Sequence, residues 1–251
     1  MRTKVWAHRG ASAYAPENTL EAFLLAAEQG ADGVELDVQM TKDRELVVVH
    51  DEVIDRVSSG TGFVKDYTLK ELKQLSFAKL HPEYQEAKIP TLAEVYEALK
   101  PTGLTINVEL KTGILWYEGL EDAVLDLTAG MGMEDRVLYS SFNHYSIRKI
   151  KERNPEAETG ILYSDIIFDV VNYAKQLGTE ALHPALYHTQ MADFLREYQD
   201  SGLKIHVWTV DEKSEIRRLM EAGVDAVITN TPDVALLIRN ERETKKEGTE
   251  K

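Results

Sequence analysis

The chain of 251 residues carries 43 acidic against 29 basic side chains, a formal charge of −14, and 43% of its residues are hydrophobic. That charge repels nucleic acid and anionic membranes, so neither is expected as a partner, and an anionic substrate needs local positive charge from a metal, Arg or Lys. Without cysteine, disulfides and thiolate chemistry are excluded. No run of about 18 apolar residues exists, and MRTKVWAHRG leads into a strand without an apolar signal core. A cytoplasmic protein with no stable membrane insertion is the expectation, and a homo-oligomer stays open.

In chain order, Lys4–Ala7 is a short apolar strand ending in His8-Arg9-Gly10. A helix follows Pro16-Glu17-Asn18, with Asn18 as its cap, Glu21 completing a capping box and Gly30 at the helix stop. In Gly33–Asp51, Val34, Leu36 and Val38 alternate with Glu35, Asp37 and Gln39, which puts both carboxylates on one strand face. Leu46–Val49 reads as an antiparallel return ending in His50-Asp51. A hairpin centred between Asp43 and Arg44 sets position 37 opposite position 50 and brings a histidine back to the carboxylates.

Glu28–Val34 resembles Glu221–Val227, and looser versions lie at Leu177-Gly178 and Ser201-Gly202; each hands a helix on to a strand. Strands are expected at 4–9, 33–39, 104–110, 136–142, 158–163, 180–184, 203–210 and 225–229, eight in all, the number a closed parallel barrel requires. The fold class is therefore α/β, a TIM-type (β/α)8 barrel over residues 1–240. Asp51–Lys88 breaks the alternation and reads as a small insertion after the second-strand hairpin, with a short helix opened by Thr68-x-x-Glu71. The delayed barrel helix starts at Thr91-x-x-Glu94 with Leu92, Val95, Tyr96 and Leu99 inward. Later helices fall near 117–130, 144–153, 166–177, 189–201, 212–222 and 232–240, and the charged residues 241–251 read as a frayed tail.

In such a barrel the productive end is where the strands finish. His8 and Arg9, Glu35 and Asp37, Glu109 and Lys111, Ser141 and Trp208 all fall there. Three carboxylates from neighbouring strands, Glu35, Asp37 and Glu109, suit one hard divalent cation, Mg²⁺ or Ca²⁺, and zinc is disfavoured because no close histidine pair accompanies them. Without a metal they would repel and raise one another's pKa values, an effect Arg9 and Lys111 could offset in part. His8 and His50 are the natural proton carriers, since histidine titrates near neutrality. Of the other histidines, His81 lies in the insertion, His144 at a helix start and His188 at the surface; His183 could line the mouth, and His206 packs in the core.

HRG at 8–10, PENT at 16–19, ELDV at 35–38, HD at 50–51, ELK at 109–111, WTV at 208–210 and ITNTPD at 228–233, taken in this order, resemble the glycerophosphodiester phosphodiesterases over nearly the whole chain. The resemblance implies a (β/α)8 barrel with an insertion after HD, metal ligands at Glu35, Asp37 and Glu109, and acid/base histidines at His8 and His50. It further implies phosphate contacts from Arg9 and Lys111, with Trp208 flanking the glycerol moiety. The implied reaction is metal-dependent hydrolysis of a glycerophosphodiester to sn-glycerol 3-phosphate and an alcohol through a cyclic phosphate, His8 acting as base and His50 as acid. Two other readings remain. A lysophospholipase D would want an apolar mouth, for which Phe63, Leu75, Phe77 and Leu80 of the insertion are candidates unless they form its own core. A non-catalytic phosphodiester-binding barrel would show damaged site residues, and none is seen.

Overall fold

The computed structural model describes residues 2–191 and 193–249. Its strands are β1 (Lys4–His8), β2 (Gly33–Met40), β3 (Leu46–Val48), β4 (Thr105–Leu110), β5 (Val137–Ser141), β6 (Glu158–Tyr163), β7 (Ala181–Pro184), β8 (Lys204–Val207) and β9 (Ala226–Thr229). All but β3 are parallel, and β1 pairs with both β2 and β9, which closes an eight-stranded barrel. Its helices are α1 (Leu20–Glu28), α2 (Leu69–Leu72), α3 (Leu92–Leu99), α4 (Leu120–Gly130), α5 (His144–Arg153), α6 (Val170–Leu177), α7 (Phe194–Asp200), α8 (Lys213–Ala222) and α9 (Pro232–Thr249).

Strand alternation divides the residues between two environments. Val34, Leu36 and Val38 of β2 and Ile106, Val108 and Leu110 of β4 point outward into a core shared with α1, α3 and α4. A second outer core joins the strands from β6 to β9 to the helices from α5 to α9. The intervening residues fill the lumen, where Trp6, Leu138, Ala226 and Ile228 cluster together. Both Thr-x-x-Glu boxes form at α2 and α3, and Leu92, Val95, Tyr96 and Leu99 are fully buried. Each such cap stabilises its helix by about 1 kcal/mol.

The insertion has a small core of its own, in which Ile54, Val57, Val64, Leu72 and Phe77 pack with Val47 and Val49 of the hairpin. Leu75 packs against that core while Phe63 and Leu80 stay exposed. Of the four insertion residues considered for a lipid chain, Leu75 and Phe77 are thus used in holding the insertion together.

Three local expectations are corrected. Thr19, not Asn18, caps α1, because Asn18 takes a left-handed conformation (φ 58°) and sends its side chain to Asp37 instead. The hairpin is centred on Asp43, with Val38 opposite Val48 and Gln39 opposite Val47, so Asp37 faces Val49 and His50 lies beyond the ladder. The turn spans Thr41 to Glu45 with Arg44 left-handed (φ 68°), a three-residue loop that shifts the register by one. The last helix, α9, runs past the expected end at Asn240 to Thr249, and residues 250 and 251 of the charged tail lie outside the described residues. Glu243 pairs with Arg2 at 3.0 Å, and Arg242 donates to the Met220 carbonyl.

Candidate active site

Register brings the carboxylates together. His8 lies beside Glu35, and Asp37 lies beside Glu109, on adjacent parallel strands. One oxygen from each of Glu35, Asp37 and Glu109 lies within 4.8 Å of the others, and all three residues are buried. Lys111 Nζ sits 3.0 Å from Glu109 and 3.7 Å from Asp37, while Arg9 Nε is 3.5 Å from Asp37. Asn18 adds a 2.8 Å hydrogen bond to Asp37 Oδ2, and the Arg9 backbone N–H donates to Glu35 at 3.0 Å.

These neighbours split the carboxylates electrostatically. Burial and then the charges of Asp37 and Glu109 push Glu35 well above its ordinary pKa. Burial raises Glu109 as well, with Lys111 opposing. Burial would also raise Asp37, yet Lys111 and Arg9 hold it below the usual carboxylate range. Among the described residues Asp37 Oδ1 is buried without a hydrogen-bond partner, and an ion bound at roughly 2.0–2.6 Å from each oxygen could span a trio this close. The donor set is all oxygen, so the residues present fit a hard divalent cation.

Each histidine at the mouth is oriented from behind. Asn230 donates through Nδ2 to Asp211 at 2.6 Å, so its Oδ1 must be the atom 2.8 Å from His8 Nδ1. His8 Nδ1 therefore carries a proton, and the neutral ring leaves Nε2, 3.9 Å from Glu35, free to accept one. Burial, reinforced by Arg9, pushes the His8 pKa down to about 4. His50 Nδ1 lies 2.6 Å from Asp51 Oδ1, which likewise makes Nδ1 a donor and directs Nε2 away from the carboxylate. The bend that carries His50 is held by Gln39, whose Nε2 lies within 2.8–3.2 Å of the carbonyls of Val49, His50 and Asp51. Tyr117 in turn donates to Gln39 Oε1 at 2.9 Å.

His8, Arg9, Glu35, His50, Glu109 and Trp208 line one cavity of about 110 Å³ together with Asn107, Phe142, Leu162 and Ile228. The Trp208 indole donates to the His183 carbonyl at 2.8 Å and meets Phe142 edge-on at 5.4 Å, which fixes its ring as one wall. Gly10 of the HRG motif has φ +81°, and a Cβ there would lie 2.6 Å from the Ala22 backbone, so only glycine lets α1 approach β1 this closely. Ser141 takes no part in the cavity; its hydroxyl donates to the Leu110 carbonyl and accepts from the Asn143 N–H. His183 does not line the mouth: it is fully buried in the lumen, 2.9 Å from His206. His188 is not at the surface either; it is buried against Tyr163 and the Ser164 carbonyl.

The family model for glycerophosphoryl diester phosphodiesterases matches residues 8–234. The chain belongs to the glycerophosphoryl diester phosphodiesterase family. It is 42% identical to a glycerophosphodiester phosphodiesterase of Caldanaerobacter subterraneus subsp. tengcongensis, over 94% of this chain and 97% of that one. Among solved structures, it superposes on an Oleispira antarctica phosphodiesterase in complex with the product sn-glycerol-3-phosphate with a TM-score of 0.86. Identity there is 31%, covering 95% of this chain and 97% of the other. A glycerophosphodiester phosphodiesterase of Thermotoga maritima gives 0.78 at 30% identity, covering 95% and 98%. Membership makes the chain an enzyme with glycerophosphodiester phosphodiesterase activity, which removes the non-catalytic reading. Among the described residues no helix is long and apolar enough to cross a membrane.

The residues that orient the others carry weaker sequence signals than the groups they orient. Asn18 and Asn230 stand inside PENT and ITNTPD, but their partners, Asp37 and Asp211, are 19 positions away in each case. Gln39 has a visible signal: it continues the inward alternation of Glu35 and Asp37 by one more step, so an uncharged amide shares the face of the carboxylates.

Proposed function

We propose that the chain hydrolyses small glycerophosphodiesters to sn-glycerol 3-phosphate and an alcohol, with Glu35, Asp37 and Glu109 holding one divalent cation, Mg²⁺ or Ca²⁺. The observation that carries this reading is the set of two imidazoles, each donating from Nδ1 to a fixed oxygen, in one cavity with Glu35 and Glu109, whose oxygens lie within 4.8 Å of one of Asp37. The product named for the Oleispira antarctica relative supports the same substrate class. When bound, the cation would supply Lewis acidity toward a phosphate oxygen and the attacking hydroxyl.

The chain's own residues then divide the work. His8, kept neutral by burial, takes the proton of the glycerol hydroxyl as that oxygen attacks phosphorus, and the phosphorus–alcohol bond breaks as His50 delivers a proton to the departing oxygen. Water opens the resulting cyclic phosphate with the two rings in exchanged roles, which returns each to its starting state. Arg9 and Lys111 stabilise the equatorial phosphate oxygens, and Trp208 packs against the glycerol carbons. This fits a cytoplasmic enzyme of glycerophospholipid breakdown.

The test is turnover of glycerophosphocholine and glycerophosphoethanolamine after chelation, with Mg²⁺ or Ca²⁺ restored singly. Glu35→Gln and Asp37→Asn are expected to drop the rate to the chelated level while the fold, judged by circular dichroism, stays intact. Undiminished turnover of the chelated enzyme or of either variant would refute the assignment.

A second reading is favoured by the mouth itself. Ile114 and Trp116 after β4, Tyr145 after β5, and Ile166 and Phe168 after β6 are each more than half exposed, from 58% to 96%. Apolar side chains concentrated on the catalytic face suit a substrate with one acyl chain, a lysophospholipid. Comparing kcat/KM for lysophosphatidylcholine with that for glycerophosphocholine decides between the two.

A further inference from the structure

Arg56 belongs to the insertion, outside the barrel and outside the cavity, yet its guanidinium is the centre of an ion-pair chain that ends on two residues of the mouth. Its Nε donates to Asp51 Oδ2 at 2.6 Å, and Asp51 Oδ1 accepts from His50 Nδ1 at 2.6 Å. Its Nη1 and Nη2 donate to the two oxygens of Glu17 at 2.6 and 2.7 Å, and Glu17 Oε1 also accepts from Arg9 Nη1 at 2.8 Å. The backbone that carries Arg56 is fixed by Ile54, fully buried in the insertion's core. Lysine could not do the same: one ammonium lacks the planar fork that meets two oxygens of Glu17 while a third nitrogen meets Asp51.

We propose that Arg56 is a positioning residue for the phosphodiester hydrolysis, through which the insertion locks the His50 ring by way of Asp51 and the Arg9 guanidinium by way of Glu17. The inference rests on the roles proposed above for His50 and Arg9. It gives residues 51–88 a catalytic purpose: they deliver one guanidinium that ties the loop after β1 to the loop after β3. Charge supports this account. Arg56 offsets half the charge of the Asp51 and Glu17 pair, so neither carboxylate faces the anionic substrate uncompensated. Burial alone would raise both carboxyls, yet both lie below their ordinary range, with the Arg56 hydrogen bond the first of the opposing causes in each.

The variants Arg56→Met, Arg56→Lys, Asp51→Asn and Glu17→Gln test this in the metal-loaded enzyme on glycerophosphocholine. R56M is expected to lose about 10–100-fold in kcat/KM, the usual effect of removing a group that orients a functional side chain. D51N should act mainly on kcat and E17Q mainly on KM, while R56M does both. The double variant R56M/D51N should lose no more kcat than D51N alone, because the two act in series. Methylguanidinium at millimolar concentration should restore R56M turnover without moving its melting temperature, and equimolar urea should not. Wild-type kcat and KM in R56M overturn the proposal. So does full additivity of R56M with D51N. Should R56M prove unfolded, R56K takes its place, and wild-type kinetics there overturn the proposal in the same way. His50→Ala run alongside separates the two levels: if it keeps full turnover, the role of His50 fails; if it is inactive while R56K and R56M are normal, only Arg56 fails.

Discussion

The barrel contains two histidine pairs, and they differ in what their ring nitrogens face. His8 and His50 reach the mouth on separate elements, each with Nδ1 spent on an oxygen, Asn230 for one and Asp51 for the other. His183 and His206 meet in the lumen, where His183 Nε2 and His206 Nδ1 share one hydrogen bond at 2.9 Å and, among the described residues, no carboxylate pairs with either ring. Burial pushes His183 down to about 3 and His206 well below its ordinary value, so both rings are neutral packing units. The lumen pair even has a dedicated socket: a Cβ on Gly160 would come within 2.3 Å of the His183 ring. In the mechanism proposed above, a histidine of this barrel serves as a proton carrier where an oxygen fixes its tautomer and its other nitrogen faces the cavity. Where it faces another histidine it is core.

The sharpest way to break that contrast is to truncate one member of each pair. His50→Ala or His8→Ala should lower kcat by about 10²–10⁴-fold with little change in stability. His183→Ala should leave kcat within about threefold but cost about 2–4 kcal/mol of unfolding free energy, from the cavity and the stranded His206 nitrogen. Steady-state kinetics and urea denaturation on the same preparations read both. A catalytic loss in His183→Ala comparable to that of His50→Ala would erase the distinction.

Much of this contrast is legible in the chain itself, and the part that is not has a physical cause. The barrel is legible because each helix-to-strand hand-off repeats a local signal, and the carboxylate trio because alternation in β2 and β4 fixes faces. His183 suggests a mouth residue because a strand-end histidine before proline looks the same in either environment; only the pairing with His206, 23 positions away, separates them. The hairpin register differs by one from the pattern of the sequence because Arg44 adopts a left-handed conformation more usual for glycine or asparagine. Asn18 reads as a cap since its side chain suits a helix start, yet a buried carboxylate claims it first. What sequence conceals is therefore mostly the orienting layer, whose partners are remote.

That orienting layer supplies a gentler perturbation of the mouth pair. In Asp211→Asn the new amide can donate to Asn230, letting the Asn230 side chain turn its nitrogen toward His8. His8 would then hold its proton on Nε2, the wrong nitrogen for a base. We expect kcat to fall about 10-fold with KM unchanged, and Asn230→Ala added to Asp211→Asn to cost nothing further. An additive loss would mean that Asp211 acts by another route.

The smallest effect is one of pH on the lumen pair. A histidine whose folded pKa lies below its unfolded value of 6.5 binds fewer protons folded than unfolded between those two values, so stability rises with pH across that window. Above about 6.5 the contribution is fully present, and it is lost as pH falls toward the folded pKa. Each such ring costs about 1 kcal/mol at one unit below 6.5. His8 and His144 are lowered in the same direction, so they add to the slope in every variant that keeps them. Replacing the lumen pair with leucines (H183L/H206L) should therefore roughly halve, not abolish, the fall in stability between about pH 7 and 5.5, measured by urea denaturation with the metal saturating. Holding the metal saturating matters because Glu35 and Glu109, raised in its absence, carry the opposite sign. A slope equal to that of the wild type would show that the lumen rings titrate normally, and with that the physical difference between the two pairs would disappear.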